Sequence, residues 1–157
     1  MDNLLLNILG QNKQLISPLP EDNVVKAINI IRKQNKLLPL KESPTLNTTA
    51  LKKALDMVER GYWSHENPEG KRAWDLIKNS GYKYGYAGEN LARGFNDQQR
   101  MMDAWMKSAS HSANILNPNY EEIGVGKNNG YVATHFAKRK ELSMWEKLMK
   151  IIDKKNF

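Results

Sequence analysis

The hydrophobic pattern of this chain follows helical spacing early on and includes short strand-like segments in the second half, and this order restricts the fold more than any other feature. Early apolar residues recur near helical spacing and predict a helix over 21–37: Val24, Val25, Ile28, Ile31 and Leu38. Later, residues 122–127 and 131–137 predict a hairpin around Asn128-Asn129-Gly130. Helices that precede and flank short strands are typical of the α+β class, with helices covering a small antiparallel sheet.

The rest of the chain completes this pattern. A second helix is predicted over 45–60, with Thr45 or Asn47 as its N-cap and Gly61 at its end. The other predicted elements are an ordered loop at 61–70, a short helix at 71–79, a strand within 82–94, a helix at 97–107, a tight polar segment at 108–117 and a final amphipathic helix.

The chain has 157 residues and no cysteine. This length fits one domain with a packed core. The missing cysteine excludes a disulfide scaffold and a thiolate zinc site, but it is compatible with the cytosol and with a secreted bacterial protein.

Much of the positive charge lies at the C-terminal end. The formal net charge is +7, and residues 138–157 supply +4 of it through seven basic and three acidic side chains. A basic end suggests attraction to anionic lipid at a membrane surface or to polyanions, and a solvated helix face is the more common alternative for such a segment. No nucleic-acid-binding motif accompanies the charge, so specific nucleic-acid binding is not expected.

No stretch approaches the ~20 apolar residues that span a bilayer. The first ten residues make a poor signal peptide because they lack a basic start and Asn7 interrupts the short apolar run. The residues alone leave two alternatives, a cytosolic protein or one whose export signal or lipid anchor was removed upstream of Met1.

Two of the three histidines lie in predicted loops that are rich in Ser, Asn, Pro or Gly. His65 precedes Glu66-Asn67-Pro68-Glu69-Gly70, and His111 follows a predicted helix end. Glu89 lies between Gly88 and Asn90, where a small neighbour allows another segment to approach closely. Two imidazoles and a carboxylate suit a divalent metal or acid–base chemistry, although loop histidines are commonly surface residues. His135 is expected on an edge strand, facing solvent or packing.

Five ordered blocks resemble the bacterial CAP family of cysteine-rich secretory, antigen 5 and pathogenesis-related-1 (SCP-like) domains. The similarity covers about 22–137. The blocks are Asn29-x-x-Arg32 with Leu38-Pro39-Leu40, Trp63-Ser64-His65-x-Asn67-Pro68-x-Gly70, Gly88-Glu89-Asn90-Leu91-Ala92, Trp105-Met106-x-Ser108-x-x-His111-x-x-Asn114-Ile115-Leu116 and Ile123-Gly124-Val125-Gly126.

The resemblance implies a three-layer α-β-α sandwich with a cleft that many members line with two His and two Glu. His65, Glu89 and His111 match three of these positions, and Ser108 occupies the position of the second Glu. The resemblance therefore implies a possible divalent cation such as zinc, held by His65 and His111, and the missing second Glu weakens this expectation.

The expected organisation is a lead-in at 1–20, a CAP domain at 21–137 and a basic amphipathic helical extension at 138–157. The expected function is an extracytoplasmic, secreted or surface-anchored module that binds a protein, lipid or sterol, without defined catalysis. The alternatives are a metal-dependent, protease-like hydrolase using His65, Glu89 and His111, and a lipid- or sterol-binding protein.

Overall fold

The structure, a computed structural model, describes residues 22–155. The lead-in expected at 1–20 lies outside the described residues. The elements in chain order are α1 Val24–Gln34, β1 Lys41–Glu42, α2 Pro44–Glu59, α3 Ala73–Asn79, β2 Tyr84–Arg93, α4 Gln98–Lys107, α5 Ala109–Ile115, β3 Glu122–Asn128, β4 Tyr131–Arg139 and α6 Met144–Lys155.

The four strands form one mixed sheet in the order β1-β3-β4-β2. β4 pairs antiparallel with both β2 and β3, whereas β1 runs parallel to β3. The small sheet expected to be antiparallel is therefore present, and one edge strand, β1, makes it mixed. β1 contains only Lys41 and Glu42, which is too short to show any alternation in the sequence.

Two further sequence expectations need correction. Residues 109–115 form helix α5 rather than an irregular polar segment, because buried Ile115 anchors a stretch that has weak helical propensity of its own. Helix α2 takes Ser43 as its N-cap, one residue before the proline at its first position, instead of Thr45 or Asn47.

The sheet lies between two helical layers, as the α-β-α expectation required. One face packs against α1, α4 and α5 in a core that includes Ile28, Trp105 and Phe136. The opposite face packs against α2 and α3 through smaller clusters around Leu46 and Ala50. Apolar side chains thus cover both faces of the central strand β4.

Helix α2 lies directly on β3 because two glycines leave room for its backbone. A Cβ added to Gly124 would collide with the backbone of Leu46 and Asn47, and one added to Gly126 would collide with that of Ala50 and Leu51. The side chain of Asn47 accepts a 2.8 Å hydrogen bond from the Val125 amide at this contact. The Gly124-Val125-Gly126 sequence therefore sets the distance between these two elements.

A buried arginine connects α1 to the segment that carries His111. Arg32 is 1% exposed and donates hydrogen bonds to the carbonyls of Leu38 (2.8 Å), Ile115 (2.9 Å) and Asn117 (2.9 Å). Burial lowers the pKa of the guanidinium, but three carbonyl acceptors compensate for its lost hydration. Arg32 thereby fixes the C-terminal end of α5.

Candidate functional site

A cleft of about 300 Å³ opens between β2, α5 and the loop before α3. It contains all three of the expected site residues, which come from separate parts of the chain. Its lining consists of His65, Arg72, Trp74, Ala87, Gly88, Glu89, Asn90, Ser110, His111 and Asn114.

Glu89 is the buried anion of the cleft, with a side chain only 2% exposed. Its Oε1 accepts a hydrogen bond from His65 Nδ1 at 2.7 Å, and its Oε2 accepts one from His135 Nε2 at 3.0 Å. Burial raises the pKa of the carboxyl, but the hydrogen bonds from His135 and His65 outweigh burial and bring the pKa below its usual value. Glu89 is therefore a carboxylate with both oxygens occupied.

His65 projects from the ordered loop, and its side chain is 55% exposed. The loop is shaped by Asn67, whose Oδ1 accepts hydrogen bonds from the amides of Glu69 and Lys71. Because the Glu89 carboxylate can only accept, His65 must carry its proton on Nδ1. Its Nε2 makes no hydrogen bond to any residue within 22–155.

His135 lies behind Glu89, on the central strand β4 rather than on an edge strand. It is fully buried and stands opposite Glu89 in the β2–β4 register. Its Nδ1 lies 2.8 Å from Thr49 Oγ1 of α2. The expectation of an edge position is wrong because a hairpin pattern does not reveal that β2 will pair with the outer side of β4.

Sequence reasoning also missed Lys53, which lies on the buried face of α2 and is 2% exposed. Its Nζ donates to the His65 carbonyl at 3.0 Å and to the Tyr62 hydroxyl at 3.3 Å. Burial lowers the pKa of Lys53, and the charge of Glu89 opposes this effect. The available signal was helical spacing, since Lys53 follows Ala50 by three residues and Thr49 by four.

His111 lines the cleft from α5 and is held differently from His65. Its Nδ1 lies 2.7 Å from Ser108 Oγ, and its ring stacks on Trp105 with centroids 6.2 Å apart. Burial lowers the pKa of His111, and the charge of His65 adds to this effect. The serine at the position of the second Glu therefore supports the imidazole without supplying charge.

A network of side-chain amides fixes α5 against β2. Asn90 Nδ2 donates to the His111 carbonyl at 3.0 Å, and Asn114 Nδ2 donates to the Glu89 carbonyl at 3.1 Å and to Asn90 Oδ1 at 2.9 Å. A Cβ added to Gly88 would lie 2.7 Å from Asn114 Oδ1 and would collide with the Tyr120 hydroxyl. The close approach expected at Gly88 is thus present.

Glu66 and Glu69 are surface charges with partners of their own. Glu66 Oε1 accepts a hydrogen bond from Arg72 Nε at 2.6 Å, and Glu69 pairs with Arg60. Neither supplies a free carboxylate to the cleft.

A catalytic zinc site uses about three protein ligands. Within residues 22–155, no group of three or more His, Cys, Asp or Glu side chains is placed to hold a metal. His65 and His111 offer two nitrogens, whereas Glu89 lies behind His65 and orients it, as carboxylates do for metal-bound histidines.

The family model of the cysteine-rich secretory protein (CAP) family matches residues 25–136. Among curated relatives, uncharacterized protein YkwD of Bacillus subtilis is 40% identical over 106 residues, which cover 68% of this chain and 41% of YkwD. The chain thus spans about two fifths of this relative's length.

Two solved structures resemble the fold. An extracellular protein containing an SCP domain from Bacillus anthracis aligns with a TM-score of 0.70 and 26% identity, over 73% of this chain and 39% of that one. An outer surface protein from Borrelia burgdorferi aligns with a TM-score of 0.69 and 24% identity, over 74% of this chain and 90% of that one.

Proposed function

Because the chain belongs to the cysteine-rich secretory protein (CAP) family, we propose that it is an extracytoplasmic binding module whose cleft recognises a polar ligand. One observation carries this proposal. The Nε2 atoms of His65 and His111, on two separate elements that line the same cleft, make no hydrogen bond within 22–155, while their Nδ1 atoms are both held.

The chemistry around these nitrogens favours binding over catalysis. Glu89 cannot readily act as a general base, because both of its oxygens already accept hydrogen bonds from imidazoles. Ser110 and Ser112 flank His111, but among the described residues the serine that contacts its ring is Ser108. A pre-organised set of donors and acceptors in a concave site suits ligand recognition.

The polar lining indicates the class of ligand. Arg72 lines the cleft with its guanidinium paired to Glu66. The Asn90 and Asn114 amides bind other protein groups, and Trp74 adds one aromatic side chain. The unprotonated Nε2 of His65 accepts a hydrogen bond, so the cleft suits a ligand with hydroxyl or N–H donors, such as a peptide or a glycan of the cell envelope.

The extracytoplasmic location is supported by the Bacillus anthracis protein, which is described as extracellular. Cell fractionation of a bacterium that expresses the full-length protein tests the location directly. Recovery in the envelope or medium supports it, and recovery only with cytosolic markers contradicts it.

The binding role is tested with purified protein and washed cell envelopes. We expect His65→Ala and His111→Ala each to weaken envelope binding at least tenfold, because each removes one ring nitrogen from the cleft. Lys26→Ala, on the exposed side of α1, is the matched control and should bind normally. Equal binding by all four proteins, or no binding by the wild type, would contradict the proposal.

Metal binding, as a basis for a metal-dependent hydrolase, is the second candidate. The hydrogen bond from His65 Nδ1 to Glu89 favours it, since metal-binding histidines are commonly oriented in this way. Calorimetric titration with Zn²⁺ distinguishes the candidates. Binding that disappears in both His65→Ala and His111→Ala would favour a metal site, whereas equally weak heats in all three proteins would remove it.

A further inference from the structure

Helix α6 lies outside the matched family region and presents an uncovered apolar face. Every residue from Met144 to Lys154 is exposed, including Trp145 at 68% and Ile151 at 54%. The apolar residues recur at helical spacing on one side: Met144, Trp145, Leu148, Met149, Ile151 and Ile152.

The opposite face of α6 carries three lysines. Lys147, Lys150 and Lys154 make no ion pair with any residue within 22–155. Glu146, the acidic residue of the first turn, is engaged at the helix start, where it accepts a 2.8 Å hydrogen bond from the Ser143 amide. The lysines are therefore available to an external anion.

Local interactions cap the start of α6. The Ser143 hydroxyl accepts a hydrogen bond from the Glu146 amide at 3.2 Å, which completes a reciprocal cap with the Glu146 carboxylate. No residue of α6 belongs to the three core clusters of residues 22–155. The core of the described residues therefore forms without α6, and the helix stays exposed on the surface.

We propose that α6 lies in the interfacial plane of an anionic lipid bilayer. An interfacial helix has a large apolar face with Trp or Leu and a lysine-rich polar face, which is the distribution seen here. The apolar face would enter the boundary between headgroups and acyl chains, and the lysines would contact anionic headgroups. No helix within 22–155 is long and apolar enough to cross a bilayer, so α6 would lie on the surface.

Charge favours a lipid surface over a second copy of the chain. Helix α6 carries four lysines against two acidic residues, a net charge of +2, so pairing two copies of this helix would bring like charges together. An anionic bilayer offers complementary charge and an apolar interior in one surface.

The test is co-sedimentation of the whole chain with phosphatidylglycerol-containing vesicles and with pure phosphatidylcholine vesicles. We expect binding to the anionic vesicles that weakens in high salt. Replacing Lys147, Lys150 and Lys154 together by Gln should weaken it on the order of 100-fold, since each lysine near such a surface contributes roughly fivefold.

The matched charge control replaces three exposed lysines elsewhere, Lys26, Lys33 and Lys78, by Gln. Leu148→Glu tests the apolar face and should weaken binding at least ~10-fold. Leu38→Glu is its control, because Leu38 is 82% exposed on another surface. Thermal unfolding verifies that each variant is folded.

Three results would overturn the proposal. The first is wild-type protein that stays in the supernatant with anionic vesicles, which would exclude lipid binding. The second is a Lys26/Lys33/Lys78 variant that loses as much affinity as the α6 variant, which would indicate diffuse charge attraction. The third is a wild-type dimer that Leu148→Glu disperses, without vesicle binding, which would show that a second copy covers the helix.

Discussion

The two sides of the cleft present the same side chain on different supports. His65 donates from Nδ1 to a buried carboxylate that a second, buried histidine also contacts. His111 has its Nδ1 on the hydroxyl of Ser108, which carries no charge. The Glu89 side is thus fixed by charge, and the Ser108 side is fixed by neutral hydrogen bonds and stacking on Trp105.

This difference indicates that the two supports contribute unequally to the stability of the fold. A carboxylate that accepts two hydrogen bonds holds both imidazoles in set orientations and stabilises the sheet. A serine hydroxyl can donate or accept, so it restricts His111 less. We therefore expect the Glu89 side to govern folding and the Ser108 side to tolerate change.

Removing the charged support should have the largest effect. Glu89→Ala removes a buried carboxylate that accepts two hydrogen bonds, and a hydrogen bond to a charged group contributes about 1.5–3 kcal/mol. Denaturant unfolding should show this loss in the free energy of unfolding. A loss below about 1 kcal/mol would mean that the pair contributes little, and the proposed asymmetry would fail.

Forcing β2 and α5 apart should cause the next largest loss of stability. Gly88→Ala places a methyl group against Asn114 and Tyr120, so we expect a loss of about 1–3 kcal/mol. Gly85→Ala is the control on the same strand, because its added Cβ would meet only the Lys140 Cα at 3.8 Å. Equal melting temperatures for the two variants would contradict the close contact between β2 and α5.

Removing the neutral support should have a small effect. Ser108→Ala deletes one partly exposed hydrogen bond to His111, so unfolding should lose about 1 kcal/mol or less. The comparison predicts that this loss is several times smaller than that of Glu89→Ala. Similar losses in the two variants would remove the distinction between the supports.

Lowering the pH should separate the stability contributions of His111 and Glu89, because their pKa values lie in different ranges. Folding lowers the pKa of His111 below its ordinary value of 6.5, so its contribution is present above pH 6.5 and is lost as pH falls through the folded pKa. Folding also lowers the pKa of Glu89 below 4.5, so its contribution is lost only at lower pH.

Urea unfolding across this range measures both effects. His111→Ala should flatten the decline that begins below pH 6.5, and Glu89→Ala should flatten the decline below pH 4.5. An unchanged profile for His111→Ala above pH 4.5 would contradict the lowered pKa of His111.

Much of the fold was predictable, because long periodic helices and the Asn128-Asn129-Gly130 hairpin leave clear patterns. Short elements were not predictable: β1 has two residues and α5 has seven, so their neighbours decide their conformation. The resemblance placed His65, Glu89 and His111, and the structure places all three in one cleft.

The buried partners of the site, His135 and Lys53, could not be predicted from the sequence. His135 contacts Glu89 only because β4 lies between β2 and β3, and a strand order of this kind is a tertiary property. The burial of Lys53 is also a tertiary property. A lysine on the apolar face of a helix interrupts the hydrophobic pattern, and only the fold shows which acceptors bind its ammonium group.

The most direct measurement of the central claim is ¹⁵N NMR of the imidazole rings at mildly alkaline pH, in wild type and in Glu89→Ala. We predict that neutral His65 in the wild type carries its proton on Nδ1 and leaves Nε2 unprotonated toward the cleft, and that Glu89→Ala mixes the two tautomers while His111 keeps its signals. Identical His65 signals in the two proteins would show that Glu89 does not orient this imidazole, and would contradict the account.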